Sequence, residues 1–259
     1  MPVLSADEHI ASIYDTLFRT WGRQHWWPAR SRFEVIVGAY LTQNTSWTNV
    51  ELAIRQLRAA GVLNVGGIRK ISRRKLERLI RSSGYFRQKT RCLKTFVKFL
   101  DRNYGGSLTR MFVRPTVELR EQLLALNGVG PETADSILLY GGQHPVFVVD
   151  AYTRRIAARH GLLPEDAKYE DVRMMFEKAL AAKGSSVSTG ALSGSLGGAS
   201  NRPSRMSLAA RAPLAQVFNE MHGLIVGVGK KYCLKSSPKC DECPLKPLLP
   251  GWQLNTPDF

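Results

Sequence analysis

Acidic residues, cysteines and long apolar runs are all scarce in this chain of 259 residues. No stretch approaches the roughly 18 continuous apolar residues that a membrane-spanning helix needs. Residues 1–18 are acidic and amphipathic rather than basic and then apolar, so we expect no signal peptide. Four cysteines are present, three of them clustered, which does not predict a secreted disulfide framework. We therefore expect a protein of the bacterial cytoplasm.

The scarcity of acidic residues leaves a large excess of positive charge. The chain has 37 Lys and Arg residues but 21 Asp and Glu residues, which gives a formal net charge of +16. Such an excess favours a polyanionic partner, above all nucleic acid, although a protein from a basic proteome could show the same balance. A membrane surface is less favoured because no basic amphipathic tail stands apart from the rest. The chain is long enough to bury a sizeable core, in one compound domain or two small ones.

The most informative stretch runs from residue 123 to residue 155. Apolar residues at helical spacing precede and follow a turn that contains Gly128 and Gly130, and glycine permits backbone conformations closed to residues with a Cβ. Pro131 suits the first position of a second helix. The stretch therefore predicts a helix-hairpin-helix, in which N–H groups at a helix start can hold a phosphate. An apolar run and then one acid, Asp150, come next.

Several motifs in this order resemble one known family. The residues LNGVGPETAD followed by VVDAYTRR look like the helix-hairpin-helix (HhH-GPD) DNA glycosylase superfamily, which includes endonuclease III. The upstream residues WWPA and FEVIVGAYLTQNTSW are similar to the branch that contains 3-methyladenine DNA glycosylase III. The resemblance covers most of the chain. It implies a hairpin that grips the DNA backbone, glycosidic chemistry at Asp150, and double-stranded DNA with a damaged base as the partner.

The resemblance and the helical periodicity predict an all-α, two-lobed fold with the active site in the cleft between the lobes. One lobe, residues 32–145, is a helical bundle with the hairpin, in which 61–67 form a turn and 107–116 a linker. The other lobe combines residues 1–31 with 146–259. Within it, residues 184–212 are rich in Gly and Ser and contain no acidic residue, which predicts a flexible insertion without secondary structure. We expect a monomer.

The resemblance also implies a pocket for an extruded base. Its aromatic positions are Trp26, Trp27 and Trp47, and aromatic faces stack on any base at about 1–3 kcal/mol each. Because adjacent tryptophans cannot share one helix face, we expect one ring of the pair at 26 and 27 to point away from the core; a loop plug over the core is the alternative. Gln43 and Asn44 would fill the gap left in the duplex, since amides donate and accept. A plain cap of the next helix by Asn44 or Thr45 is the alternative there.

The remaining candidate DNA contacts lie in and after the hairpin. They are Asn127, Gly128, Val129, Gly130 and Thr133 in the hairpin, with Arg154 and Arg155 about one helical turn after Asp150. For the two arginines, the sequence favours neither a phosphate contact nor an ordinary surface salt bridge over the other. Lys230, on the last long helix, is either a pocket residue or a solvated side chain. A basic run at 69–81 is either a solvated helix face or a DNA contact.

Asp150 carries the chemical prediction. Cleavage of an N-glycosidic bond builds positive charge on the sugar, and a carboxylate beside the anomeric carbon can stabilise that cation and orient a water. A plain N-cap is the alternative, since aspartate is a preferred capping residue, and the two roles are compatible. In bifunctional members of the family a lysine of the second hairpin helix forms a Schiff base. Glu132 matches that position here, and a carboxylate cannot form an imine.

The sequence therefore predicts a monofunctional hydrolase without lyase activity. Glu132 either favours the helix macrodipole or contacts a cationic base. The resemblance implies an alkylated purine such as 3-methyladenine as the preferred substrate. The attraction of tryptophan faces and a nearby carboxylate for a cationic base is a weaker, independent argument for the same substrate. Alternatives within the fold are mismatched uracil or thymine, adenine, or abasic-site lyase activity through another lysine such as Lys230. The alternative outside enzymes is a protein that binds lesions or bent DNA without cutting.

Three cysteines near the end of the chain, Cys233, Cys240 and Cys243, are spaced C-x6-C-x2-C. The spacing resembles the first three ligands of the loop with which endonuclease III relatives hold a 4Fe–4S cluster. The fourth cysteine of that family would stand at Leu249, so the loop at 233–249 is degenerate. We expect no firmly bound cofactor and favour loss of the cluster; three thiolates with an unusual ligand are the alternative. Cys92 lies apart and is expected to be a small buried residue.

Overall fold

The structure, a computed structural model, describes residues 4–186 and 202–250. Twelve α-helices contain most of these residues, and no β-strand occurs among them. The all-α prediction is confirmed. Within the same ranges, none of the helices is long and apolar enough to span a membrane.

The chain folds into two compact units. The bundle unit is Ala29–His144, and the terminal unit combines the described parts of Met1–Pro28 and Pro145–Phe259. The sequence analysis places the corresponding limits at 32 and 145. The terminal unit is discontinuous, because its first helix, α1 (Ala6–Trp21), and its later helices come from opposite ends of the chain.

The bundle unit is built around its first helix. Its helices are α2 (Arg32–Thr42), α3 (Trp47–Ala59), α4 (Val65–Lys70), α5 (Arg73–Leu79), α6 (Phe86–Tyr104), α7 (Leu108–Phe112), α8 (Thr116–Leu124) and α9 (Pro131–Ser136), and α9 continues into a π-helical turn (Ile137–Gly142). Every residue of α2 from Phe33 to Leu41 is buried, as its apolar run predicts. The one acid in that run, Glu34, is paired with Arg58 at 2.7 Å. A buried charge of this kind is tolerated because it has a partner.

Two short helices occupy segments that the sequence predicts to be a turn and a linker. α4 begins inside 61–67, where the Oδ1 atom of Asn64 accepts the N–H of Gly67 at 2.7 Å. α7 lies inside 107–116, where the Ser107 hydroxyl accepts the N–H of Arg110 at 3.3 Å. Both predictions were wrong because a capping side chain supplies the partner that a helix start lacks, so that few apolar residues suffice.

The terminal unit is built around its last helix. It contains α1, α10 (Ala151–Arg159), α11 (Tyr169–Ser186) and α12 (Pro213–Lys231), and the other three helices pack on α12. The residues of α12 from Val217 to Gly229 are all buried. Because α12 is buried on all sides over this range, it forms the core on which the other helices of this unit pack.

Part of the predicted flexible insertion, residues 187–201, lies outside the described residues. The prediction was wrong at 184–186, which are helical, whereas residues 202–212 contain a turn but no helix or strand and are held by contacts. Residues 184–186 belong to α11, and the side chain of Met206 is 6% exposed. The Arg211 guanidinium donates to the carbonyl of Met206 at 2.7 Å, and the Ser204 hydroxyl contacts the carbonyl of Trp27 at 3.4 Å. One buried methionine and these polar contacts hold residues 202–212 in place. The Gly- and Ser-rich composition of the segment gives no sign of these contacts.

Candidate active site and DNA-binding hairpin

Two glycines shape the hairpin of the bundle unit in different ways. Gly128 has a φ of +83°, and a Cβ there would lie 2.5 Å from the Sγ atom of Cys92. Both the backbone conformation at this position and the close approach of Cys92 therefore require a residue without a side chain. Gly130 has an ordinary extended conformation with open space around it, and no side chain caps α9, which follows it. Cys92 is buried, as predicted.

A buried ion pair joins the two helices of the hairpin. The Arg120 guanidinium on α8 donates two hydrogen bonds to the Asp135 carboxylate on α9, at 2.7 Å and 3.1 Å. The Asp135 side chain is fully buried, and that of Arg120 is 16% exposed. Bidentate pairing of this kind fixes direction as well as distance, so it holds the angle between the helices that present the turn.

The amide of Gln43 is part of the same hairpin. Its Nε2 atom donates to the carbonyl of Gly128 and to the hydroxyl of Thr133, both at 2.9 Å. The predicted insertion of Gln43 into DNA stays a prediction, but here its amide nitrogen supports the turn. Asn44, the next residue, is exposed and adopts a left-handed conformation with a φ of +52°. Asn44 does not cap the next helix, because the N-cap residue of α3 is Ser46.

The other two bundle-unit candidates begin helices. Trp47 is the first residue of α3, is partly exposed, and donates its indole N–H to the Oε1 atom of Glu51 at 2.9 Å. Glu132 is exposed in the first turn of α9, where a carboxylate interacts favourably with the helix dipole. In the turn before it, Asn127 is exposed and Val129 is 8% exposed, so its side chain anchors the turn in the core.

In the terminal unit, Asp150 caps the start of α10. Its Oδ1 atom accepts hydrogen bonds from the backbone N–H and the hydroxyl of Thr153, at 2.8 Å and 2.9 Å. The alternative role as an N-cap is therefore present in the structure. Its Oδ2 atom lies 3.8 Å from the Nε2 atom of His222, and the Asp150 side chain is 15% exposed. Capping thus uses one carboxyl oxygen and leaves the second facing an imidazole.

His222 is buried on α12 beside Asp150. Its Nδ1 atom lies 3.1 Å from the carbonyl oxygen of Val148, and its ring centroid lies 5.6 Å from that of Trp26. Burial lowers the pKa of the imidazole, while the negative charge of Asp150 and the hydrogen bond to Val148 act in the opposite direction. A lowered pKa means that the ring is neutral at neutral pH.

Both tryptophans of the adjacent pair are buried, with exposures of 9% for Trp26 and 6% for Trp27. The expectation that one ring points away from the core was wrong. The backbone N–H of Gln24 donates to the buried Glu220 carboxylate on α12 at 2.9 Å, and burial raises the pKa of that acid. Because a Cβ at Gly223 would lie 3.2 Å from the Cβ atom of Trp26, this glycine lets the segment lie directly on α12. The two indoles meet edge to face at 5.5 Å.

The basic candidates of the terminal unit have different surroundings. The Arg154 guanidinium donates to the carbonyl of Ala167, and that of Arg155 donates to the carbonyl of Cys233 at 2.7 Å. Both arginines therefore hold neighbouring backbone, and phosphate contact by them stays a prediction. Lys230 is exposed at the end of α12.

The three clustered cysteines line one pocket with Leu249. The pocket has an empty volume of about 340 Å³, open to solvent on one side, and Arg159 and His160 also line it. The Arg159 guanidinium lies 3.2 Å from the Sγ atom of Cys233, and burial raises the pKa of the Cys243 thiol. All three thiols are free of disulfide bonds.

Comparisons with known proteins identify the family of this chain. Residues 37–182 match the model of the HhH-GPD superfamily base excision DNA repair proteins. A Methanocaldococcus jannaschii protein with the provisional name DNA repair glycosylase MJ1434 is 40% identical over 240 residues, which are 92% of this chain and 94% of that protein. The chain belongs to the HhH-GPD superfamily. It is a DNA glycosylase of that base excision repair family.

Solved structures agree with this membership. The 3-methyladenine DNA glycosylase (MagIII) of H. pylori, bound to 1,N6-ethenoadenine, has a TM-score of 0.69 at 26% identity, over 88% of this chain and 98% of that chain. A trapped covalent complex of endonuclease III with DNA has a TM-score of 0.71 at 19% identity, over 97% of this chain and 99% of that chain, and shows the shared fold.

Endonuclease III relatives can carry a 4Fe–4S cluster, and the cysteine pocket is where this chain would hold one. The donors present do not fit a cluster with four cysteine ligands, since Leu249 offers no donor atom. In the described ranges, no group of three or more His, Cys, Asp and Glu side chains is arranged to hold a metal ion. A guanidinium also faces the thiol of Cys233.

Sequence reasoning missed three residues that contact the candidate site residues or hold the hairpin. Thr153 has a signal, because it stands at the third helical position after an acidic N-cap, where capping residues recur. Asp135 lies within the hairpin motif but gives no sign that its partner is Arg120. His222 is a histidine on the face of an apolar helix, a pattern that is usually structural, and only the fold places it beside Asp150.

Proposed function

We propose that this glycosylase is monofunctional and removes an alkylated purine, such as 3-methyladenine, by hydrolysis of the N-glycosidic bond. The arrangement of Asp150 supports this most strongly. One of its carboxyl oxygens is held by Thr153, while the other faces His222, beside the ring of Trp26. A carboxylate fixed in this way is oriented before substrate arrives, as electrostatic stabilisation of a sugar cation requires.

The reaction uses Asp150 in two ways. As the bond between C1′ and the base nitrogen lengthens, the base takes the bonding electron pair and the sugar becomes cationic. The ionised carboxylate stabilises that cation and accepts a proton from the water that attacks C1′. An alkylated purine is cationic before cleavage, so it leaves as a neutral base and needs no proton. Such a substrate therefore needs no second carboxyl group to protonate the leaving base, and Asp150 alone suffices.

The hairpin of the bundle unit supplies DNA binding in this proposal. α9 begins without a side-chain cap, and backbone N–H groups at such a start, with the positive end of the helix dipole, favour a phosphate. Asn44 is exposed beside the Gln43–hairpin contact, so its amide is the better candidate for the gap in the duplex. The net charge of +16 adds long-range attraction to DNA.

Aromatic and acidic groups favour the alkylated base. A tryptophan face attracts a cation by about 1–2 kcal/mol, and Trp26, Trp27 and Trp47 are the candidates for this contact. Glu132 would add a negative charge near the base. The H. pylori relative is named for 3-methyladenine and was solved with 1,N6-ethenoadenine, which is consistent with a purine pocket in this family.

A panel of lesion duplexes tests the proposal. Duplexes with 3-methyladenine, uracil, mismatched thymine or adenine, and an abasic site are incubated with the protein, with and without alkali. We expect excision of the alkylated purine, with strand breaks only after alkali. Excision of uracil or thymine alone would replace the substrate assignment. Breaks without alkali, together with a covalent adduct on borohydride treatment that Lys230→Ala abolishes, would show a lyase instead.

We also propose that the cysteine loop has lost its cluster and is kept by packing. Leu245, within the loop, is 1% exposed, and Arg155 and Arg159 donate to the loop carbonyls of Cys233 and Leu234 at 2.7 Å and 2.8 Å. Iron and sulfide analysis of protein purified without oxygen, with a visible spectrum, tests this. We expect neither element in stoichiometric amount; four irons per chain would contradict it.

A further inference from the structure

The two oxygens of the Asp150 carboxylate have different surroundings. Oδ1 accepts two hydrogen bonds from Thr153, at 2.8 Å and 2.9 Å, and is committed to the start of α10. Oδ2 is 3.8 Å from the Nε2 atom of His222. The oxygen left for chemistry is therefore the one that faces the imidazole.

The tautomer of His222 follows from its other contact. The carbonyl of Val148 can only accept a hydrogen bond, so the Nδ1 atom, 3.1 Å away, carries the hydrogen. In the neutral ring, Nε2 then has no hydrogen and is an acceptor. Burial lowers the pKa of the ring and favours this neutral form, and Asp150 is the charged group that acts on it, in the opposite direction.

Two acceptors thus face each other across 3.8 Å inside the terminal unit. A proton on Oδ2 would turn this contact into a donor–acceptor pair, because a protonated carboxyl group can donate to Nε2. The Asp150 carboxylate, the Val148 carbonyl and the indole of Trp26 are among the groups close to the ring.

We propose that His222 is a positioning residue that acts through Asp150: it aims the Oδ2 atom and takes up the proton that Asp150 receives from the attacking water. This inference rests on the proposed function of Asp150. The oxygen of the water forms the new bond to C1′, and the base leaves with the electron pair of the broken bond. The water proton passes to Oδ2 and then to Nε2. The step ends with an ionised Asp150 beside a protonated His222, which later releases the proton to solvent.

Nuclear magnetic resonance of the free protein tests the pairing without any reaction. Protein with ¹⁵N-labelled histidine is titrated as wild type and as Asp150→Asn, and His222→Asn identifies the signals. We expect the Nδ1-protonated tautomer in the wild type and a lower imidazole pKa in Asp150→Asn, because the stabilising negative charge is gone. An Nε2-protonated ring, or the same titration in both proteins, would overturn the proposal.

Single-turnover kinetics tests the role in excision. His222→Asn keeps a donor for the Val148 carbonyl and removes Nε2, whereas His222→Gln keeps a polar group towards Asp150 that cannot titrate. We expect both variants to lower the excision rate by about 100-fold with unchanged DNA affinity, and to lose the acid limb of the pH profile that protonation of His222 causes. A wild-type rate and pH profile in both would refute the role.

A buried histidine in the other unit serves as the control. The pKa of His144 is also lowered by burial, and its Nδ1 atom pairs with the Thr116 hydroxyl at 2.9 Å. We expect His144→Asn to leave the pH profile unchanged. If Asp150→Asn retains full excision, the proposed function fails whatever the titration shows. If Asp150→Asn is inactive while His222→Asn behaves as wild type, the role of His222 alone fails.

Discussion

Two helices of this chain begin in opposite ways. α9 follows Gly130, and no side chain caps it. α10 follows Asp150, whose carboxylate accepts the N–H of Thr153 in a capping box. The N–H groups at both starts attract negative charge. α10 receives that charge from its own chain, because the Asp150 carboxylate lies at its start. α9 has no such side chain, and in the function proposed above a DNA phosphate supplies the charge.

The difference teaches that one physical property, the positive end of a helix, serves both binding and chemistry. What separates the two uses is the residue before the first turn. The neighbouring side chains then support each start: the Arg120–Asp135 pair and the Gln43 amide do so for α9, and Thr153 does so for α10.

The largest expected effect is on the support of the α9 start. Asp135→Asn removes the fully buried carboxylate of the Arg120–Asp135 ion pair, so we expect a loss of about 3 kcal/mol in the free energy of unfolding. Urea denaturation measures it. Glu118→Gln, in the exposed Arg114–Glu118 pair on α8, should leave the unfolding midpoint unchanged. Equal midpoints for the two variants would show that the buried pair does not stabilise the hairpin.

The hairpin glycines should differ from each other. Gly128→Ala combines a positive φ with a Cβ placed 2.5 Å from the Sγ atom of Cys92, and we expect a destabilisation of about 2 kcal/mol. Gly130→Ala meets nothing and has an ordinary φ, so its stability should change by less than about 0.5 kcal/mol. Thermal unfolding of both variants checks this. A reversed order would mean that Gly130, not Gly128, shapes the turn.

A smaller loss of stability is expected at Gln43, whose amide supports the turn. Gln43→Ala removes donors to the Gly128 carbonyl and the Thr133 hydroxyl, so we expect about 1 kcal/mol lower stability and weaker DNA binding. Asn44→Gly keeps the left-handed backbone and removes only an exposed amide. It should keep stability and lose excision of a paired lesion. Denaturation and DNA-binding titrations separate the two, and identical behaviour would contradict the separate roles.

The smallest effect is expected at the start of α10. Thr153→Val has nearly the same shape but lacks the hydroxyl that donates to Asp150, so we expect a several-fold lower excision rate, equivalent to about 1 kcal/mol. Thr153→Ser restores the donor and should restore the rate. Single-turnover excision by the two variants measures this. A rate for the valine variant equal to that of the wild type would show that the Thr153 hydroxyl does not support Asp150 in the reaction.

Much of the fold could be predicted from the sequence because it depends on local patterns. The apolar run in α2, the glycines of the hairpin and Pro131 act over a few residues, and the all-α prediction that rests on them is confirmed. α4 and α7 were missed because a single capping side chain begins each of them. The burial of both Trp26 and Trp27 could not be read either, since it depends on Gly223 in a distant part of the sequence.

The candidate site divides in the same way. Asp150 as an N-cap follows from its place before a helix, and its local partner Thr153 is only a few residues away. His222 is far away in sequence, and nothing near it indicates a carboxylate. The degenerate cysteine loop was visible because spacing is a property of sequence, but how it packs, with Arg155 and Arg159 on its carbonyls, is set by the fold.

The most direct measurement is single-turnover excision of an alkylated purine by Asp150→Asn, with DNA affinity and unfolding measured on the same preparation. Asparagine also caps helices, so the variant should bind DNA and unfold like the wild type. We expect its excision rate to fall by at least about 100-fold, because the charge that stabilises the sugar cation is gone. A rate within a few fold of the wild type, with affinity and stability intact, would contradict the assignment of Asp150 as the catalytic carboxylate.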